Sequence, residues 1–166
     1  MRNPIQKRKS EGFTIIEVMI VLAIAGLILL IVFLAVPALQ RNAHNTSIKN
    51  DVSGLLGGVN EYTNNNNGVV PTTVSNGTAN SVDIGAAGSN VATVKLGYID
   101  ASTASNVTLG KLASGTKSAP AVGVINIWTN AACDSTAAGQ AKVGSGSRSV
   151  VALFTLEGGA KECQES

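Results

Sequence analysis

Glu17 places a carboxylate five residues into an apolar run that extends from Phe13 to Leu39, and no ionisable group follows it from Val18 to Val36. A carboxylate in lipid costs roughly 2.5–3.5 kcal/mol on insertion scales, so such a group pairs with a cation or has a task. The bland reading is a side chain at the headgroup boundary, because Glu17 lies near one end of the run. Other reactive side chains are sparse. His44, the only histidine, lies on a polar stretch of predicted helix, where a triad or metal site would have to be built around a solvated residue. Cys133 and Cys163 are thirty residues apart and make no ligand set with one distant histidine. The glycines of Gly144-Ser145-Gly146 lack the lysine and helix of a phosphate-binding loop, and no cofactor motif is present. These residues point away from catalysis.

The elements that hold Glu17 follow from the pattern. At about 1.5 Å per residue the run reaches roughly 40 Å, enough to cross a hydrocarbon core of about 30 Å. It is preceded by Arg2, Lys7, Arg8 and Lys9 with one acid, Glu11, which is a positive-inside flank. A cleaved secretory signal has an apolar stretch of about 7–15 residues and a small-residue cleavage site after it. This run is about twice as long and leads directly into a polar helix, so it is expected to stay attached.

The segment Lys9-Ser10-Glu11-Gly12-Phe13-Thr14-Ile15-Ile16-Glu17, followed by the long apolar helix, resembles the class III leader and N-terminus of the type IV pilin family. The resemblance implies that a membrane-bound prepilin peptidase cuts between Gly12 and Phe13 and methylates the Phe13 amine. It implies that Glu17 pairs with the terminal amine of a neighbouring subunit, which repays the buried charge. It also implies an α+β fold: a long N-terminal helix, half transmembrane and half amphipathic, packed on a small antiparallel sheet of about four strands in a ladle shape.

The expected organisation is a leader over residues 1–12, an apolar membrane and filament-core helix over 13–39, an amphipathic continuation over 40–67 and a β-rich head over 68–166. In the continuation, Leu39, Ile48, Val52, Leu55, Leu56, Val59 and Tyr62 recur at helical spacing while Arg41, Asn45, Lys49 and Asn60 take other positions. The helix is expected to stop at Asn64-Asn65-Asn66-Asn67-Gly68. Pro37 is the candidate break, and the alternative is two helices parted there. In the family the segment around such a proline loses helicity on assembly; Gly26 is the other weak point. Expected strands are 91–99, 107–112, 122–128 and 149–156, the last two central, with loops over 74–90 and 130–149. On the resemblance, Cys133 and Cys163 form a disulfide stapling a C-terminal loop, worth roughly 3–4 kcal/mol on the chain-entropy model, with two free buried thiols as the alternative.

Charge bounds the partners. Of twelve basic and ten acidic groups, four and one lie in residues 1–12, which leaves eight against nine in the processed chain. No basic stripe tracks a phosphate backbone, so nucleic acid is not an evident ligand. The function implied is a structural subunit, inserted in the cytoplasmic membrane as a precursor and then assembled with copies of itself into an extracellular filament for adhesion, twitching motility or DNA uptake. Force would come from a separate ATPase acting through a membrane assembly platform. The rival readings are a type II secretion pseudopilin, a minor pilin, and a single-span membrane protein with an external binding domain. Asn45, Asn76 and Asn106 begin glycosylation triplets, to which no role is assigned.

Overall fold

A computed structural model describes residues 12–86, 90–103, 105–144 and 146–166; residues 1–11 of the expected leader lie outside the described residues. The chain forms two compact units that meet between Gln40 and Arg41. One helix, α1 (Ile15–Asn65), supplies residues to both.

In the first unit α1 is apolar on every side and its side chains are exposed. Its mean hydropathy reaches 3.3 over an 18-residue window of which nothing is buried, and it is long and apolar enough to cross a membrane. The helix is continuous through Gly26 and Pro37. Pro37 has no N–H to offer the carbonyl of Phe33, so the weakness expected there is one missing hydrogen bond within a single helix, not two separate helices.

In the second unit the helix becomes one-sided. Ile48, Val52, Leu55, Leu56, Val59 and Tyr62 are buried at three- and four-residue spacing. The helix stops where the asparagines predict. Gly68 N–H donates to the Thr63 carbonyl at 2.7 Å, and Asn67 between them turns left-handed with φ 55°, the Schellman closure for which asparagine is suited. Gly58 is there for close approach: a Cβ on it would fall 2.4 Å from Cγ2 of Val94.

Among the described residues, ten strands form three sheets. β1 (Val74–Asn76), β2 (Ser81–Ile84) and β3 (Ala92–Lys95) make an antiparallel sheet in sequence order. β4 (Val107–Lys111), β6 (Ile125–Thr129), β9 (Val150–Thr155) and β10 (Lys161–Glu165) make a four-stranded sheet in the order β10-β9-β6-β4. β5 (Thr116–Ser118), β8 (Gln140–Val143) and β7 (Ala131–Cys133) make the third, in the order β5-β8-β7. Alternation along β9 explains how the layers cohere. Val150, Ala152 and Phe154 join the helix-side core, whereas Val151 and Leu153 join a second core with Leu112, Ala131 and Ala141. All six residues of β9 are therefore buried, and its first five, from Val150 to Phe154, make an unbroken apolar run.

The α+β fold, with a long N-terminal helix packed on small sheets, is as expected, and β6 and β9 are the inner strands of the four-stranded sheet. The expected single sheet of about four strands is instead three sheets, β5 and β10 lie outside every expected strand, and three further details differ. β4 and β6 are parallel, because the chain between them leaves to place β5 against β8 and returns in the same direction. Strands β1, β2, β7 and β8 lie in the spans 74–90 and 130–149 that composition reads as loops. They are rich in Ser, Asn, Gln, Asp and Ala, and cross-strand pairing overrides their low strand propensity. Finally, the strand expected over 91–99 ends at Lys95. The N–H groups of Gly97, Tyr98 and Ile99 go instead to the carboxylate of Asp51, at 2.7, 2.8 and 2.9 Å.

Asp51 is buried on α1, so it ties the helix to the segment after β3 by three charge-assisted bonds. Asp51→Ala would leave three donors without their acceptor at a cost of roughly 3 kcal/mol or more. The expected result is a fall in thermal midpoint on the order of 10 °C for the chain in detergent micelles. Asp51→Asn, which keeps one acceptor oxygen, should lose about half as much; an unchanged midpoint in both would contradict this anchor.

Cys133 and Cys163 are bonded to each other, with Cα atoms 5.7 Å apart. The bond joins β7 to β10 beside the second core, and the N–H of Cys133 also donates to Oε1 of Glu165 at 2.7 Å. The two-thiol alternative is not what the structure contains.

Candidate functional site

The N-terminal site is built from Gly12, Phe13, Thr14 and Glu17. Thr14 is the residue before the first helical position, and three donors of the opening turn need partners outside the helix. Its hydroxyl oxygen accepts from Glu17 N–H at 3.4 Å, while Oε2 of Glu17 accepts from Thr14 N–H at 3.4 Å and from the Thr14 hydroxyl at 3.3 Å. Thr14-Ile15-Ile16-Glu17 is thus a capping box. The charge also lies at the positive end of the helix dipole. These contacts are long, and both carboxylate contacts fall on one oxygen. A carboxylate offers about four acceptor positions, so Glu17 keeps capacity for a further cation.

Phe13 is 85% exposed, and the apolar side chains after it, Ile15 and Ile16 onward to Leu39, are exposed as well. Gly12 has open space around it: among the described residues no atom lies within 4 Å of where its Cβ would be. Nothing in the described fold requires glycine at this position.

The sequence-predicted residues fall into separate places. Gly12, Phe13 and Glu17 come together at the helix start; Gly26 and Pro37 lie along the helix; Cys133 and Cys163 close a bond in the head. His44 is less solvated than its sequence context suggests. Its Nδ1 meets Oε1 of Glu157 at 2.9 Å and its ring lies 4.8 Å from that of Tyr98. The side-chain amides of the triplet asparagines carry local structure. Asn45 Oδ1 accepts from Glu157 N–H at 2.8 Å, and the amides of Asn76 and Asn106 donate to the carbonyls of Ser102 and Asp100 at 2.9 Å each.

Thr14 was legible as the first residue of an S/T-x-x-E box, a signal overlooked beside the charge of Glu17 itself. Asp51, Tyr98 and Glu157 carry no local signal, because their partners lie 46 to 113 residues away.

Residues 7–33 match the family of the prokaryotic N-terminal methylation motif. The match takes in Gly12, Phe13, Glu17 and Gly26 and ends before Pro37 and the whole of the head. No curated protein and no solved structure matches the chain. The motif supports a class III leader like that of type IV pilin-like prepilins, a group that takes in pilins and pseudopilins, at the start of a membrane-length apolar helix followed by an α+β head.

Proposed function

We propose that this chain is a structural subunit of a type IV pilus. Residues 1–12 are removed by a prepilin peptidase, the Phe13 amine is methylated, and Glu17 receives the terminal amine of an adjacent copy during assembly. Residues 13–39 form the filament core, 40–67 continue that helix, and 68–166 form the outward head. Before assembly the apolar helix holds the precursor in the cytoplasmic membrane; a separate ATPase and platform extract it into an extracellular filament. The chain itself does no catalysis in this reading.

The observation that carries the proposal is the methylation motif on a helix whose apolar surface is uncovered from Phe13 to Leu39. Outside lipid such a surface needs an apolar cover, at about 25 cal/mol per Å² removed from water, and copies of the same helix supply one. Gly12, which the described fold leaves without a structural need, fits a position chosen by a processing enzyme.

The deciding experiment is mass spectrometry of the N-terminal peptide from material sheared off intact cells. Abundant methylated Phe13 in that fraction is the expected result. Methylated Phe13 confined to membranes would indicate a pseudopilin or a scarce minor subunit, and an intact Met1 terminus would overturn the processing step.

A further inference from the structure

The first turns of α1 in the second unit meet a cluster that the filament reading does not use. The turn between β9 and β10 presents Glu157, whose carboxylate accepts the Tyr98 hydroxyl and faces Nδ1 of His44 at 2.9 Å. Asn45 clamps the backbone of the same residue from both sides, accepting from Glu157 N–H at 2.8 Å and donating to its carbonyl at 3.5 Å. The Tyr98 ring lies beside His44, and Tyr98 N–H is held by Asp51. Arg41, one turn before His44, adds attraction to Glu157. One turn after His44, Lys49 pairs with Glu162 of β10 at 3.0 Å. Thus three elements, α1, the segment after β3 and the β9–β10 turn, converge on one carboxylate.

The position of this cluster gives it a task. Pro37 removes a hydrogen bond from the helix, and the compact units divide after Gln40. Fraying that starts at Pro37 reaches Arg41 and His44 first. We propose that Glu157, Tyr98, His44 and Asn45 form a charge-dependent latch that holds residues 41–47 helical against the head and stops unwinding of α1 from passing beyond them.

The latch has a definite pH range. The Tyr98 hydroxyl bond is the main cause holding the Glu157 carboxyl below its ordinary value; partial burial opposes it, and the bond and charge of His44 add to it. The Tyr98 hydroxyl is pushed up, chiefly by the same bond, then by burial and by the Glu157 charge. A lowered carboxyl contributes stability that is complete above its unfolded value and is lost as pH falls through its folded value. A raised phenol contributes stability that is complete below its unfolded value and is lost as pH rises through its folded value. The latch is therefore fully closed between the ordinary carboxylate value of about 4.5 and the ordinary phenol value of about 10, weakens outside that window, and opens as pH falls through the lowered Glu157 value or rises through the raised Tyr98 value.

Hydrogen–deuterium exchange of the full chain in detergent micelles tests this, with rates corrected for intrinsic pH dependence. At pH 7, Glu157→Gln is expected to speed the amides of residues 41–47 about tenfold while those of 52–59 change by less than about twofold. Tyr98→Phe, a milder change that keeps the ring, should give a smaller rise in the same segment. Acidifying wild type below the Glu157 range should reproduce the rise, and the Gln variant should not respond further. Equal acceleration of both segments, or no change over 41–47 in either variant, would overturn the latch. The latch is a property of the single chain, so failure of the filament reading would leave it standing.

Discussion

Glu17→Ala is expected to leave processed protein in the membrane and to lower the yield of sheared filaments by about a hundredfold or more. Removing one member of a buried ion pair costs roughly 3–5 kcal/mol, because the other charge is left uncompensated, and each 1.4 kcal/mol is a factor of ten. The local geometry makes a sharper test possible. Glu17 also closes a capping box with Thr14, and alanine removes that cap as well, at about 1 kcal/mol. Glutamine at a box's third position keeps the cap but carries no charge. If charge pairing drives assembly, Glu17→Gln assembles as poorly as Glu17→Ala; if the cap is what counts, Gln restores filaments and Thr14→Ala loses them. Filament yield and membrane content of processed subunit, quantified together, decide between these. Abundant filaments from Glu17→Ala would end the pairing proposal.

Replacing Gly12 by valine is expected to leave the leader attached and to abolish filaments, an effect close to all-or-none. The described fold offers no reason for the substitution to destabilise it, since a Cβ there meets no described atom within 4 Å. Surface changes of this kind fall within about 0.5 kcal/mol. The thermal midpoint in micelles should therefore match wild type while the N-terminal peptide retains Met1, which places the defect in recognition by the peptidase. An uncut subunit would also lack the free Phe13 amine and would carry Arg2, Lys7, Arg8, Lys9 and Glu11 ahead of it in sequence. Filaments built from uncut chains would remove the class III interpretation altogether.

Much of the site was legible because it is local. The leader, the apolar run, the charge within it and the asparagine stop of α1 are all read within one or two helical turns. The motif match over residues 7–33 rests on the same short-range pattern. The inner strands β6 and β9 were legible for a related reason: β6 alternates buried Ile125, Ile127 and Thr129 with half-buried Asn126 and Trp128, and β9, buried throughout, is an apolar run from Val150 to Phe154.

The remainder depended on partners far along the chain. β7 and β8 are strands only because they pair with each other and with β5, and nothing in Ala131-Ala132-Cys133 distinguishes them from the loops beside them. β3 is short because Asp51, more than forty residues earlier, takes the amides that would have extended the ladder.

By itself the sequence determined that this chain has a prepilin-type start, a membrane-length helix with one charge near its head and a small α+β domain behind it. Hydropathy, helical periodicity and end-capping act over a few residues and need no knowledge of the fold. Only the tertiary structure decided that β4 and β6 run parallel, that Cys133 bonds Cys163, that Asp51 anchors the segment after β3 and that Glu157 closes on His44 and Tyr98. Each of these joins groups separated by 18 to 113 residues, and such contacts exist only once the chain has condensed around its two cores.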